Sequence, residues 1–205
     1  MYKGLEPNGG VCMRRFEYGW LQSLSWDMDI LSLIAGIYRA NGKEEVLLSQ
    51  SPAILDSLVE LAKVQSTEAS NAIEGIVTTS TRLRQLVTDK TTPRNRDEQE
   101  IMGYRDALNV IHESYDSISL CRNHILQLHK ILYNYQFNAR GGQLKSVQNY
   151  ISVTYPDGRT EVLFTPLAPY ETAEALDQIC AEYNRVVGNG EVEPLLAISI
   201  FIHDF

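Results

Sequence analysis

Ser70, Glu74 and Gly75 close the string Ser70-Asn71-Ala72-Ile73-Glu74-Gly75. On a helix, positions i and i+4 share a face, so the hydroxyl and the carboxylate project to one side. Gly75 takes φ > 0 without penalty and lets the chain turn away right after the carboxylate. Glu74 then sits at a helix C-terminus, where the helix dipole opposes a negative charge. On the residues alone, this is a helix-stop glycine behind an exposed glutamate. The other side chains with chemical potential are scattered. His112, His124, His129 and His203 form no HExxH, and His124 and His129, five apart, fall on different helix faces, so no metal site of protein ligands is expected. Cys12, Cys121 and Cys180 are odd in number and lack CxxC spacing, so reduced thiols in a cytoplasmic protein are expected.

The elements that must position these residues come from one domain of ordinary size, or one domain with a small helical extension. The chain has 205 residues, 44% hydrophobic and 21% charged, enough to bury a core without disulfides or metal. Eighteen Lys+Arg against 26 Asp+Glu give a formal charge of −8, which argues against a surface for nucleic acid or anionic lipid. No apolar run approaches the length of a membrane span. The opening MYKGLEPNGG does not read as a signal peptide.

Helical period dominates. Ile30, Leu33, Ile34 and Ile37 recur at helical spacing behind Asp27 or Asp29 as N-cap, with Asn41-Gly42 as the stop. Ser51-Pro52 reads as N-cap and N1 of a second helix, which runs to Gly75. A short helix over Ser80–Val87 puts Leu83 and Val87 on one face. Residues 88–96 lack apolar side chains except proline and read as the main boundary, and the local Arg82, Arg84, Lys90, Arg94 and Arg96 read as a solvated basic loop. Asp97, with Glu100 three residues on, is expected to cap a long helix carrying Ile101, Tyr104, Leu108, Ile111 and Tyr115. Another helix spans roughly 120–136. The period then changes to two over Val147–Tyr155 and Thr160–Phe164, around the turn Pro156-Asp157-Gly158, which predicts a hairpin. Helical period resumes at Thr172 and stops at Gly188-Asn189-Gly190. Pro194 opens a last segment, LLAISIFIHDF, apolar almost all round and expected to be buried. Because that segment reaches Phe205 without a polar face or a cap, the expectation is a sequence cut short.

Three strings together resemble the Fic-domain family. Ser70-x-x-x-Glu74-Gly75 is similar to its inhibitory motif. Gly142 to Thr154, with Lys145 and Gln148, followed by the turn and FTPLAP, is similar to its flap. His203-Asp204-Phe205 closes an apolar helix that in the family leads into the active-site loop HPFxxGNGR. By the family's spacing the loop histidine falls about five residues past Phe205. Trp20, Trp26, Asp27, Asp29 and Ala40-Asn41-Gly42 resemble the helical domain ahead of many bacterial Fic cores, and the GYRDAL string with Tyr104 and Arg105 matches a family helix, with Tyr104 read as packing.

The resemblance implies a mainly α fold: a helical N-terminal domain over 1–90 with the inhibitory helix at about 52–75, then an incomplete Fic core over 97–205 with one hairpin. It implies a self-inhibited protein adenylyltransferase in the intact parent, moving AMP from ATP to a Ser, Thr or Tyr hydroxyl with Mg²⁺. The general base and phosphate cradle lie in the absent loop, so no catalytic residue is assigned within 1–205 and the chain as given is expected to be inactive. Ser70, Glu74 and Gly75 are the implied inhibitory residues, Glu74 pairing with a loop arginine where the γ-phosphate would sit. Glu74, Ile151, Ser152, Val153 and Thr154 are the implied nucleotide border. Two of those positions are usually glycine in the family, where Ser152 and Val153 stand here and narrow the adenine side. Gln148, Asn149, Tyr150 and Ile151 are the implied docking edge for a target protein. A homodimer is left open. His203 is expected to be a hydrogen-bonded core residue, not a catalyst. Two other readings stand beside this one: a non-catalytic helical interaction module, and a Fic enzyme that transfers another phosphate-containing group or removes AMP.

Overall fold

The computed structural model describes residues 16–50, 52–88, 91–137 and 140–205. The described chain is mainly helical, with one small antiparallel sheet. The helices are α1 (Met28–Gln50), α2 (Pro52–Ile73), α3 (Ser80–Val87), α4 (Arg96–Ser114), α5 (Arg122–Leu132), α6 (Pro169–Gly188) and α7 (Pro194–Asp204). The strands are β1 (Ile151–Thr154) and β2 (Thr160–Phe164). Short 3-10 turns occupy Gly19–Ser23 and Tyr115–Ser117. The described residues form two compact units, one within 26–175, the other of 176–205 with residues 16–25. No helix among the described residues is long and apolar enough to cross a membrane.

In the first unit, Asp27 caps α1, its Oδ1 accepting from the Asp29 N–H at 2.7 Å. The expected stop at Asn41-Gly42 is corrected: α1 runs through both to Gln50. A mid-helix glycine costs only about 1 kcal/mol, and the good helix formers after it carry the helix on. Ser51, the expected cap of α2, lies outside the described residues, as do Cys12 and Lys90. Helix α2 packs on α1, α3 and α4. Leu83, Leu86, Val87, Ile101 and Met102 form a buried cluster, with Val64, Ile76 and Tyr135 packed against it. A Cβ built on Gly103 would lie 1.9 Å from the Leu132 carbonyl oxygen, so the α4–α5 contact needs glycine there.

Two expectations around 88–98 are corrected. Asn95, not Asp97, caps α4, accepting from the Glu98 N–H at 2.9 Å. Arg82 is not part of a solvated loop. It is buried, and its guanidinium donates to both carboxylate oxygens of Glu98, at 2.8 and 2.7 Å, and to the Thr92 carbonyl at 2.7 Å. This pair fastens residues 91–94 to α3 and α4. On α4, Ile101 is buried, but Ile111 and Tyr115 at the far end of the expected stripe are exposed. Arg105 is buried as well, donating to the Leu86 carbonyl at 2.7 Å and to Tyr135 at 3.1 Å.

Pro169 sits at N1 of α6, which starts within residues 26–175, and Glu171 reaches back to accept from the Ala168 N–H. The helix therefore begins three residues before the expected Thr172. It ends at Gly188, and the chain turns away at Gly190, whose φ is +67. In the second unit Tyr18, Leu21, Leu176, Ile179, Cys180, Val186, Val192, Ala197 and Phe201 are buried among the described residues. Helix α7 buries Ala197 and Phe201 but leaves Ile202 exposed, so it is not the fully enclosed helix expected.

Candidate functional site

The last turns of α2 carry a polar stripe toward α4. Thr67 is fully buried, and its hydroxyl donates to the Lys63 carbonyl at 2.7 Å. Asn71 is buried, and its amide donates to the Thr67 carbonyl at 2.8 Å. Ser70 and Ser66, four residues apart, both meet the Tyr104 hydroxyl of α4, at 2.9 and 3.4 Å. The sequence reading of Tyr104 as packing is therefore incomplete: its oxygen is a hydrogen-bonding partner for two serines of α2.

The helix closes as its sequence predicts. Gly75 has φ +76. Its N–H donates to the Ala72 carbonyl at 3.0 Å, and the Ile76 N–H donates to the Asn71 carbonyl at 2.9 Å. These two bonds make a Schellman motif, with Glu74 as the cap residue and Gly75 in the left-handed position. Nothing lies within 4 Å of a Cβ built on Gly75, so the glycine answers the backbone angle, not crowding. Glu74 is exposed, and its carboxylate makes no hydrogen bond or ion pair among the described residues.

The hairpin is shorter than its alternating pattern. Val147, Gln148 and Asn149 lie outside the ladder, and pairing starts at Ile151, opposite Phe164. A register shift follows between Ile151 and Ser152, after which Ser152 faces Val162, Val153 faces Glu161 and Thr154 faces Thr160. The turn closes through Gly158 N–H to the Tyr155 carbonyl at 2.9 Å, with Gly158 at φ +83. Gln148 ties the entry of β1 to the exit of β2, its amide donating to the Pro166 carbonyl at 2.9 Å. Asn149, Tyr150, Ile151, Ser152 and Thr154 are exposed, and Val153 is half-buried. Upstream, Gly142 adopts φ +77 and donates its N–H to His129 Nδ1 at 2.9 Å, which fixes where the segment leading to the ribbon departs from α5.

Ser70 is thus brought to Tyr104, and 148–154 are gathered on one ribbon. No hydrogen bond or ion pair joins Glu74 to that ribbon among the described residues. His203 is a further correction: it is exposed rather than buried, with Nδ1 3.5 Å from Asp204 Oδ1, because it falls on the outer side of α7. Sequence reasoning missed the Tyr104 bonds and the Arg82–Glu98 pair. The signal for the first was present: Ser66 and Ser70, four apart, put two hydroxyls on one face of the helix. For the second, the spacing Asn95-x-x-Glu98 signals only the cap of α4; nothing local marks Arg82, 16 positions earlier, as the partner of Glu98.

The charges in this region are set by their hydrogen bonds. The Arg82 guanidinium, with help from the Arg94 N–H, holds the Glu98 carboxyl down at about 2, against the opposing effect of burial. Among the described residues no group of three His, Cys, Asp or Glu side chains is placed to hold a metal ion. Neither a protein-family model nor a curated protein matches this sequence.

Proposed function

We propose that this chain is the inhibitory and flap-bearing part of a self-inhibited, cytoplasmic Fic-type protein adenylyltransferase. The observation that carries the reading is the end of α2. Its SxxxEG segment stops in a glycine-closed motif that leaves the Glu74 carboxylate exposed at the cap residue, with no ion pair or hydrogen bond among the described residues, while Ser70 on the same face is held to α4. A carboxylate in that position is available to a cation presented by another part of the protein. In the enzyme the cation is an arginine of the HPFxxGNGR loop, and Glu74 then takes the space of the ATP γ-phosphate. No such loop occurs in the 205 residues, so the activity belongs to a chain that carries it. Ile151, Ser152, Val153 and Thr154 border the nucleotide, and the Gln148–Ile151 edge docks the target protein by strand addition. Among the described residues no three His, Cys, Asp or Glu side chains come together to hold the Mg²⁺.

The test is to read the coding sequence past codon 205 and to assay its product. An HPFxxGNGR loop a few codons on, with Glu74→Gly raising self-labelling from labelled ATP by at least roughly tenfold, is the expected result. The absence of that loop, or an unchanged rate in a protein that has it, overturns the reading.

A second reading has its own support. Leu33, Ile37 and Tyr38 on α1 are more than half exposed, at 68%, 53% and 52%, which suits a helical interaction module without catalysis. Self-labelling that Glu74→Gly leaves at background favours this alternative.

A further inference from the structure

We infer that Tyr104 is the latch that sets the position of Glu74. This rests on the inhibitory reading of α2, but the geometry behind it does not. Helix α2 offers two hydroxyls on successive turns, Ser66 and Ser70, and a single phenol from α4 lies within hydrogen-bond distance of both, at 3.4 and 2.9 Å. A hydroxyl both donates and accepts, so one phenol can serve the two serines together. Ser70 is one turn before Glu74, and residues 71–76 between it and α3 hold together through the Asn71 and Ala72 carbonyls. Val64 on α2 and Ile76 just past its end pack against the buried cluster, and Thr67 and Asn71 are buried on the same helix. To this packing the Tyr104 phenol adds directional bonds on two successive turns, the later of them one turn before Glu74, and these hold the side from which the Glu74 carboxylate projects. Tyr104 is therefore a positioning residue, acting on Glu74 through Ser70. Its loss frees the helix end without removing the carboxylate.

The experiment uses the full product of the reading frame and three variants: Tyr104→Phe, which keeps the ring, Ser70→Ala, and Ser70→Thr, which keeps a hydroxyl. Hydrogen exchange at the Gly75 and Ile76 amides reads the latch directly. Losing one or two such bonds should speed exchange there roughly threefold to tenfold in Tyr104→Phe and Ser70→Ala. Amides of α5 should be unchanged, and Ser70→Thr should behave as the unaltered protein. Self-labelling from ATP should rise in the same two variants, less than in Glu74→Gly, and Tyr104→Phe should add nothing on top of Glu74→Gly. Unchanged exchange at residues 75 and 76 overturns the latch. Faster exchange with unchanged labelling, where Glu74→Gly does raise labelling, overturns its part in regulation. Faster exchange with no response to Glu74→Gly keeps the latch as a structural device and removes the inhibitory reading instead.

Discussion

The Glu98 carboxylate accepts from the Arg82 guanidinium at two oxygens and from the Arg94 N–H at 2.7 Å. Its folded pKa of about 2 lies below the ordinary value of 4.5. A depressed carboxyl pKa contributes stability that is fully present above the unfolded value and disappears as pH falls through the folded one. The loss therefore spreads from about pH 4.5 down to about pH 2. Glu98→Gln should lower the melting temperature by several degrees at pH 7, because the buried Arg82 keeps only a neutral partner. The gap between variant and parent should shrink in melts at pH 2.5, and an unchanged gap counts against this account. The capping role of Asn95 with Glu98 follows from local spacing. The partner of Glu98 does not, since Arg82 is 16 positions earlier and nothing local distinguishes it from Arg84, which stays exposed.

At the scale of elements, local chemistry predicts the ends of helices better than the faces they bury. Asp27, Gly75, Pro169, Gly190 and Pro194 act as their types dictate, because caps and left-handed glycines are decided within one turn of chain. Gly42 shows the limit. The same residue type stops a helix only where the following segment gains by turning away, and after Gly42 it does not. Gly103 has a different reason, visible only once two helices are packed. A side chain there would collide with the backbone of α5, with the Leu132 carbonyl carbon at 2.7 Å, and backbone cannot move aside as a flexible side chain can. Gly103→Ala should therefore destabilise at or beyond the upper end of about 1–3 kcal/mol, read by urea unfolding. Alanine is the better helix former, so a neutral or stabilising result means the α4–α5 approach is wider than described here.

Across the whole molecule, some contacts close very long loops. The Tyr18 N–H donates to Glu182 Oε1 at 2.7 Å across 164 positions of sequence. Glu182 is held ionised chiefly by its hydrogen bonds from Arg185, with the Tyr18 N–H adding to this, against the opposing effect of burial. Arg185 also donates to Glu191, which in turn lies 3.5 Å from the Gln22 amide. Glu182→Ala should release residues 18–21 locally, with the Tyr18 amide exchanging at least roughly tenfold faster. Exchange at the parent rate means the segment is held by apolar contacts of Tyr18 and Leu21 alone. As with Glu98, the folded pKa of Glu182 is lowered, so this link too weakens as pH falls below the ordinary carboxyl range.

The sequence by itself determined the mainly helical class, the place of the hairpin, the short α3 and the glycine-closed end of α2. Each follows from periodicity or from one turn of backbone chemistry, and both are written in neighbouring residues. Only the tertiary structure decided that Tyr104 meets Ser66 and Ser70, that Arg82 is buried against Glu98, that α4 needs Gly103 against α5, and that α7 leaves His203 in the open. Those outcomes depend on which faces of separate helices come together. Helical period shows that a face is polar or apolar, but it carries no record of what lies opposite.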